Sequence, residues 1–178
     1  LGRNTALQMG IKPEEMRVWY PSKPDGGIDT LEGVKIILWN GNCPVHMKFS
    51  ARDVRFVKEN FPGALVAVHP ECTKEVVELA DAVGSTEFLA NYVKKLPPKT
   101  LLFMATEVNM VERMKKENPH VKVEFLTRSL CPTMYMVNEN NLLDTLKKLP
   151  VDPYREMIIS DSLRKNARLA LERMLALA

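Results

Sequence analysis

A strand-like run that leads into a Cys-Pro pair occurs twice in this chain, as VKIILWNGNCPVHM at residues 34–47 and as VKVEFLTRSLCPTM at residues 121–134. The two cysteines, Cys43 and Cys131, lie 88 residues apart, and the two runs begin 87 residues apart. A helical pattern then starts near Ser50 and near Asn138, again 88 residues apart. This spacing indicates an internal duplication that places one Cys-Pro pair in each copy, which suggests a shared cofactor.

The elements around this repeated stretch predict an α/β fold. From Gly33 onward, strand and helix patterns alternate, and the strands are near-continuous apolar runs, as a sheet covered by helices on both faces requires. The first helix opens with the Ser-x-x-Asp spacing of a cap, Ser50 and Asp53. We therefore expect parallel strands in α/β order. Strands are predicted over residues 34–39, 64–69, 100–105 and 121–126, and helices over 50–60, 74–82, 86–95, 107–117 and 138–149.

Two segments lie outside this alternation. Residues 11–32 contain three prolines and a Gly-Gly pair with little periodicity, which predicts a connecting loop or insertion. The C-terminal segment opens with Asp152-Pro153, a cap followed by proline at the first helical position. Apolar residues recur at helical spacing from Leu163 to Leu175, so a long amphipathic helix is predicted there.

Composition excludes several classes of protein. The chain has 178 residues, of which 46% are apolar and 26% charged, as in an ordinary globular protein, and its apolar runs are far shorter than the roughly 18 residues of a membrane span. The net charge of +3 is spread along the chain, so no basic stripe predicts nucleic-acid binding. Three cysteines, an odd count with no recognisable secretory leader, favour metal binding or catalysis in a reducing compartment over a disulfide framework. We expect a cytoplasmic protein.

Polar residues follow each of the predicted strands. Cys43 follows the first strand, His69-Pro70-Glu71 ends the second, Thr106-Glu107 follows the third and Cys131 follows the fourth. Ligands of open α/β sheets bind beyond the carboxyl ends of the strands. The sequence therefore predicts a binding site at this edge of the sheet.

The two repeated cysteines have two interpretations. They are either half-buried thiols that behave as small apolar side chains, or thiolate ligands of a soft metal or an iron–sulfur cluster. Their equivalent positions favour ligation, and a third ligand must then come from elsewhere. Cys72 is the one candidate in the chain, but its counterpart 88 residues on is Ser160. His46, with the neighbouring methionines, is interpreted as packing around a cofactor.

The other candidate residues also allow a purely structural interpretation. A lone histidine is usually packed and hydrogen-bonded, but in a substrate crevice His69 could hold a carboxylate or shuttle a proton, with Glu71 as general base. Ser85 and Thr86 open a helix and either bind an anion or only cap the helix. Glu107 is expected to complement a helix dipole.

These motifs resemble quinolinate synthase, an iron–sulfur enzyme family of NAD biosynthesis. The resemblance runs from about Gly33 to the C-terminus, with Leu1-Gly2 matching a preceding segment, and it identifies the chain as the C-terminal two thirds of such a protein. The order of the Val-His-Pro-Glu and Val-Gly-Ser-Thr elements between the two Cys-Pro sites is highly specific. The matching stretches are 39–46, 68–72, 75–82, 83–86, 105–107 and 131–134.

The resemblance implies three similar αβα domains with parallel sheets around a pseudo-threefold axis, and one cysteine from each domain holding a 4Fe–4S cluster. Cys43 and Cys131 would be two of these ligands, the third would lie in an N-terminal domain outside this chain, and Cys72 would not be a ligand. Residues 1–32 would then be the end of the preceding domain and an expanded connection. Residues 33–120 would form one αβα domain, and residues 121–178 further αβα elements with a C-terminal helix that packs on the missing domain.

The same resemblance implies condensation of iminoaspartate with dihydroxyacetone phosphate to quinolinate, with release of phosphate and water. An aspartate-oxidising enzyme is an expected partner, since it supplies iminoaspartate. His69 would contact a substrate carboxylate, Glu71 would be the general base or an alternate iron ligand, and Ser85 and Thr86 would hold carboxylate or phosphate oxygens. The family's N-terminal domain also binds substrate, so this chain alone should be inactive.

Two other hypotheses remain open from the residues. One is a non-catalytic α/β module that binds a dicarboxylate in the same crevice. The other is a structural domain stabilised by zinc through Cys43, Cys72 and Cys131.

Overall fold

The structure, a computed structural model, describes residues 1–149 and 157–177. It divides into two compact units, Leu1–Cys131 and Pro132–Ala178. The strands are β1 (Met16–Trp19), β2 (Ile36–Trp39), β3 (Leu65–Val68), β4 (Ala82–Val83), β5 (Leu101–Ala105) and β6 (Lys122–Phe125). The helices are α1 (Gly2–Gln8), α2 (Ala51–Asn60), α3 (Lys74–Leu79), α4 (Thr86–Lys95), α5 (Val108–Glu117), α6 (Pro132–Tyr135), α7 (Glu139–Lys148) and α8 (Asp161–Leu177).

The main sheet of the first unit has four parallel strands in the order β4-β3-β5-β6. Buried side chains of α2 and α3, such as Val54 and Val76, pack with Val66 and Val68 of β3 in one core cluster. A second cluster joins Ala67 of β3 with buried residues of α4, β5 and α5. Since successive strand residues face opposite sides of a sheet, the helices cover both faces. The predicted α/β fold with parallel strands and three layers is confirmed.

A second, two-stranded parallel sheet joins β1 to β2, with Met16 opposite Ile36 and Trp19 opposite Trp39. Its small core contains Ala6, Met16 and Leu38. The prediction of a loop throughout residues 11–32 is therefore wrong for Met16–Trp19. Four residues between proline-rich segments give almost no periodicity, and it is pairing with β2 that makes this segment a strand.

The helix predicted over residues 74–82 is also too long. It ends at Leu79, because the next residues pair with β3: Asp81 N donates to Val66 O (2.8 Å), and Val66 N donates to the Asp81 carboxylate (2.7 Å). Ala82 and Val83 then form β4 beside β3. A helical pattern could not reveal this pairing, since it depends on a residue 15 positions earlier.

The remaining predicted elements are present. Helix α4 has the predicted bounds, and Ser50 and Asp53 form the predicted capping box of α2. Helix α8 covers the predicted amphipathic segment, whereas the predicted cap at Asp152-Pro153 lies outside the described residues. Among the described helices, none combines the length and apolar character needed to span a membrane. The division of the chain at residues 32 and 120 stays a prediction.

Candidate functional site

The carboxyl ends of the strands in the main sheet bring several polar residues to one edge. His69 follows β3, and its N–H donates to Ala105 O at the end of β5 (3.3 Å). Gly84 follows β4, and its N–H donates to Val68 O (3.2 Å). Thr106 follows Ala105 directly. The residues after β3, β4 and β5 therefore meet at this edge, although Gly84 and Thr106 come 15 and 37 positions after His69.

The first Cys-Pro loop is fixed to the same edge by buried contacts. Ser129 Oγ donates to Val45 O (2.8 Å), and Ser129 O accepts from Val108 N at the start of α5 (2.9 Å). Val45 and Phe49 are buried, with 3% and 1% exposure. Ser129 lies two residues before Cys131. Its hydrogen bond therefore connects the segment that precedes the second Cys-Pro pair with the first Cys-Pro loop.

His46, His69 and Glu71 form a compact cluster at this edge. The two imidazole rings stack with their centroids 4.4 Å apart and an interplanar angle of 16°. Glu71 Oε2 lies 2.9 Å from His46 Nδ1 and 3.6 Å from His69 Nδ1. His46 Nε2 lies 3.5 Å from Thr106 Oγ1, which is also buried.

Burial keeps these imidazoles neutral at physiological pH. Burial lowers the pKa of His46 below its ordinary value, the neighbouring His69 lowers it further, and Glu71 opposes both effects. Burial also lowers the pKa of His69, again against the effect of Glu71. A neutral imidazole offers a lone pair to a metal ion or a proton donor.

His46 Nδ1 is a buried polar atom without a hydrogen-bond partner among the described residues. Its nearest polar neighbour is the carboxylate of Glu71, whose Oε2 lies 2.9 Å away. One ligand atom each of Cys43, His46 and Glu71 lie within 4.8 Å of one another. An imidazole nitrogen, a carboxylate oxygen and a thiol sulfur therefore face a common point.

The turn that carries Glu71 is held from the N-terminal helix. Asn4 is buried, and its side-chain amide donates to Pro70 O (2.9 Å) and Cys72 O (2.8 Å). Cys72 N closes the turn by donating to His69 O (3.0 Å). The site is thus supported by a residue 66 positions away that sequence reasoning did not single out.

Cys72 is a buried residue of the core. It is 2% exposed, its thiol lies 3.9 Å from Ala105 O, and burial raises its pKa to about 12. It does not belong to the group of potential metal ligands found among the described residues. This placement gives no support to the hypothesis of a zinc site that includes Cys72.

Ser85 and Thr86 lie at the start of α4. Ser85 caps this helix, its Oγ accepting from Phe88 N (3.2 Å), and both residues are exposed. Their anion-binding role stays a prediction. Glu107 caps α5 by accepting from Asn109 N (2.7 Å), which confirms the expected helix-terminal role.

The structure brings Cys43 and Glu71 together with His46, beside His69. The strand before Cys43, β2, does not belong to the main sheet as predicted, because it pairs with β1 in the two-stranded sheet. Cys131 lies two residues after Ser129 and outside the group whose ligand atoms lie within 4.8 Å of one another. The interpretation of His46 as packing around a cofactor is incomplete, because its buried ring presents a polar atom to Glu71 and Cys43. The Cys-Pro-Val-His spacing was the available signal. His46 comes three positions after Cys43, so both side chains belong to the same turn.

Together, fold and site define a three-layer α/β protein whose parallel sheet ends in a cluster of imidazole, carboxylate and thiol groups. The sequence model of the family described as quinolinate synthetase A protein matches residues 1–176, and the chain belongs to this family. The match includes residues 11–32, outside the main stretch of the resemblance noted from the motifs.

Curated relatives named quinolinate synthase agree with this assignment. The chain is 38% identical to that of Geobacillus kaustophilus and 40% identical to that of Listeria innocua, in each case over 100% of this chain and 50% of the relative. It is 36% identical to that of Corynebacterium glutamicum, over 99% of this chain and 46% of the relative. The chain thus spans about half the length of these relatives, a smaller share than the two thirds expected from the motifs.

Proposed function

We propose that the chain is part of a quinolinate synthase, which condenses iminoaspartate with dihydroxyacetone phosphate and releases phosphate and water. Family membership supports this proposal, and one structural observation carries it: the Ser129–Val45 hydrogen bond joins the two Cys-Pro loops at the edge where His69 and Glu71 lie. A transferase-type condensation needs groups that bind acidic substrates and groups that move protons. This edge offers both.

The donor set fits a 4Fe–4S cluster held by Cys43, Cys131 and a third cysteine from outside this chain. Cys43 and Cys131 are partly exposed in loops, unlike the buried Cys72, and thiolates are the ligands that such clusters use. The irons of a cluster separate its cysteine ligands, so the two sulfurs need not lie within reach of one ion. When bound, a cluster with three protein ligands supplies an open iron that acts as a Lewis acid.

The chain's own residues then have distinct roles. His69, neutral and partly buried, donates a hydrogen bond to a substrate carboxylate. Glu71 removes a proton as general base, and its Oε2 lies 2.9 Å from His46 Nδ1 and 3.6 Å from His69 Nδ1. The Ser85 hydroxyl and the first N–H groups of α4, beside Thr86, hold phosphate or carboxylate oxygens.

Two further proposals follow from the reaction. Iminoaspartate must come from an enzyme that oxidises aspartate, which is therefore the expected partner. Cluster and thiols require a reducing compartment, so we place the protein in the cytoplasm.

Anaerobic reconstitution of the full-length protein with iron and sulfide tests the cluster. The broad brown absorbance should be lost in Cys43→Ser and in Cys131→Ser and retained in Cys72→Ser. Retention in Cys131→Ser, or loss in Cys72→Ser, would contradict the proposed ligand set.

Quinolinate production by the reconstituted protein tests the general base. Glu71→Gln should lower turnover by about a hundredfold or more, because it removes the proton acceptor and keeps the shape of the side chain. The matched control is Glu75→Gln, an exposed glutamate four residues on, which should leave turnover unchanged. Equal turnover in the two variants would rule out the role of Glu71.

A further inference from the structure

We propose that, in the absence of the cluster, Cys43, His46 and Glu71 bind a single divalent transition-metal ion such as Zn²⁺. This site differs from the proposed cluster site in its ligands, since it uses an imidazole and a carboxylate and leaves out Cys131. It shares Cys43 with the cluster, and Glu71 with the role of alternate iron ligand that the resemblance implies.

The distances suit one ion. His46 Nδ1 and Glu71 Oε2 lie 2.9 Å apart, and a sulfur of Cys43 completes a group within 4.8 Å. Donor atoms about 2.1 Å from a common ion are roughly 3.0–3.4 Å from each other. The nitrogen and oxygen are therefore nearly in place, and the sulfur needs only a small movement of a partly exposed loop side chain.

The unpartnered nitrogen points to a ligand. The His46 side chain is 9% exposed, and its Nδ1 has no hydrogen bond among the described residues, although burying such an atom is costly. Its other nitrogen, Nε2, faces Thr106 Oγ1 at 3.5 Å. Histidine ligands of metals typically bond through one ring nitrogen while a second residue orients the other, and Thr106 is in the position of that second residue.

The ring of His46 is also held in place before any ion binds. It stacks on His69 with a centroid distance of 4.4 Å, and the backbone N–H groups of His46 and Met47 both donate to Cys43 O (3.1 and 3.0 Å). Two of the three ligands therefore come from one short turn. Glu71 comes from the turn that Asn4 fixes, so these side chains lose little conformational freedom when an ion binds.

The donor chemistry selects the class of ion. A thiolate, an imidazole and a carboxylate are all ligands of Zn²⁺, whereas Mg²⁺ and Ca²⁺ prefer oxygen donors. The two negative groups neutralise a divalent ion in a partly buried site. Three protein ligands leave one position for water, so the site has the ligand count of open zinc centres.

A consequence concerns cluster assembly. Because both sites need the Cys43 sulfur, one protein molecule cannot hold the ion and the cluster together. Zn²⁺ bound at this site should therefore block iron–sulfur reconstitution until a chelator removes it.

Co²⁺ titration of the full-length protein tests the site, because cobalt bound to a thiolate gives a charge-transfer absorbance. The protein is purified in air, stripped with chelator and reductant, and titrated with Co²⁺, followed by displacement with Zn²⁺. We expect one equivalent of Co²⁺ with a charge-transfer band that Cys43→Ser abolishes. His46→Gln and Glu71→Gln should weaken binding by tenfold or more.

Matched variants separate this proposal from the cluster. Cys131→Ser should bind Co²⁺ like the unaltered protein while it fails to assemble a cluster, and Cys72→Ser and His120→Gln should also bind normally. The thermal unfolding midpoint of each variant shows whether it has folded. Loss of the band in folded Cys131→Ser, or full-strength binding by folded His46→Gln, would overturn the metal site and leave the cluster proposal standing.

Discussion

The two Cys-Pro loops follow similar local paths but have different side-chain environments. Each is preceded by a strand, β2 or β6, and continues through a short helical turn to a capped helix. The caps are Ser50 and Asn138, which keep the 88-residue offset of the cysteines. The duplicated sequence therefore specifies the same order of elements, although β2 and β6 lie in different sheets.

The side chains of the loops have diverged within that arrangement. His46 of the first loop corresponds to Met134 in the second, and their exposures are 7% and 52%. Phe49 corresponds to Val137, with exposures of 1% and 79%. A repeat can thus supply equivalent thiols while only one copy builds a buried polar site next to its thiol.

The largest expected difference between the loops concerns packing at Phe49 and Val137. Phe49→Ala should lower the free energy of unfolding of the first unit by about 3–5 kcal/mol, because it leaves a cavity beside α2 and β3. Val137→Ala should change it by less than about 0.5 kcal/mol, as expected for an exposed side chain. Urea unfolding followed by tryptophan fluorescence measures this unit, since Trp19 and Trp39 both lie within it.

Phe56→Ala is the control for loss of a phenyl group. Phe56 lies on α2, close to Phe49 in sequence, but is 57% exposed, so its removal should cost far less. If Val137→Ala destabilised the first unit as much as Phe49→Ala, the contrast between the loops would be wrong.

The next effect separates the loop cysteines from Cys72. In the cluster-free and metal-free chain at pH 8, iodoacetamide should label Cys43 at least about a hundredfold faster than Cys72. Cys72 is buried and burial raises its pKa to about 12, whereas only a thiolate reacts. Mass spectrometry of peptides from timed samples measures the rates.

Unfolding in urea should remove this protection and make all three cysteines react at similar rates. The dependence of the free energy of unfolding on pH gives a second check on the environment of Cys72. A thiol whose pKa is raised on folding stabilises the fold below its unfolded value and loses that contribution as pH rises toward about 12. Fast labelling of Cys72 in the folded chain would show that its environment is open.

The contrast between the loops also explains what the sequence could and could not predict. Capped helices such as α2 and α4 were predictable because their signals lie within the segment itself. Strands β1 and β4 were missed because four and two residues carry no periodicity and depend on distant partners. The site divides in the same way: Cys43, His69 and Glu71 follow apolar runs, whereas the role of His46 depends on its contacts with residues from other segments, His69 and Thr106.

The smallest expected effect concerns the caps, where the loops should behave alike. Ser50 Oγ accepts from Asp53 N (3.2 Å), and Asn138 Oδ1 accepts from Asn141 N (2.9 Å). Replacing either cap with alanine should cost about 1 kcal/mol, or roughly fivefold faster amide exchange in the first turn of the helix, measured by hydrogen exchange. Ser50→Ala should cost slightly more, because Ser50 also donates to the Asp53 carboxylate (2.8 Å).

Exchanging the caps tests whether the two helix starts are interchangeable. Ser50→Asn and Asn138→Ser each keep a side-chain oxygen that can accept from the third residue of the helix, and serine and asparagine cap helices about equally well. Both variants should therefore exchange within twofold of the unaltered chain. If Ser50→Asn exchanged as fast as Ser50→Ala, the hydroxyl bond to Asp53 would be the stabilising contact, and the equivalence of the two loops would end at their cysteines.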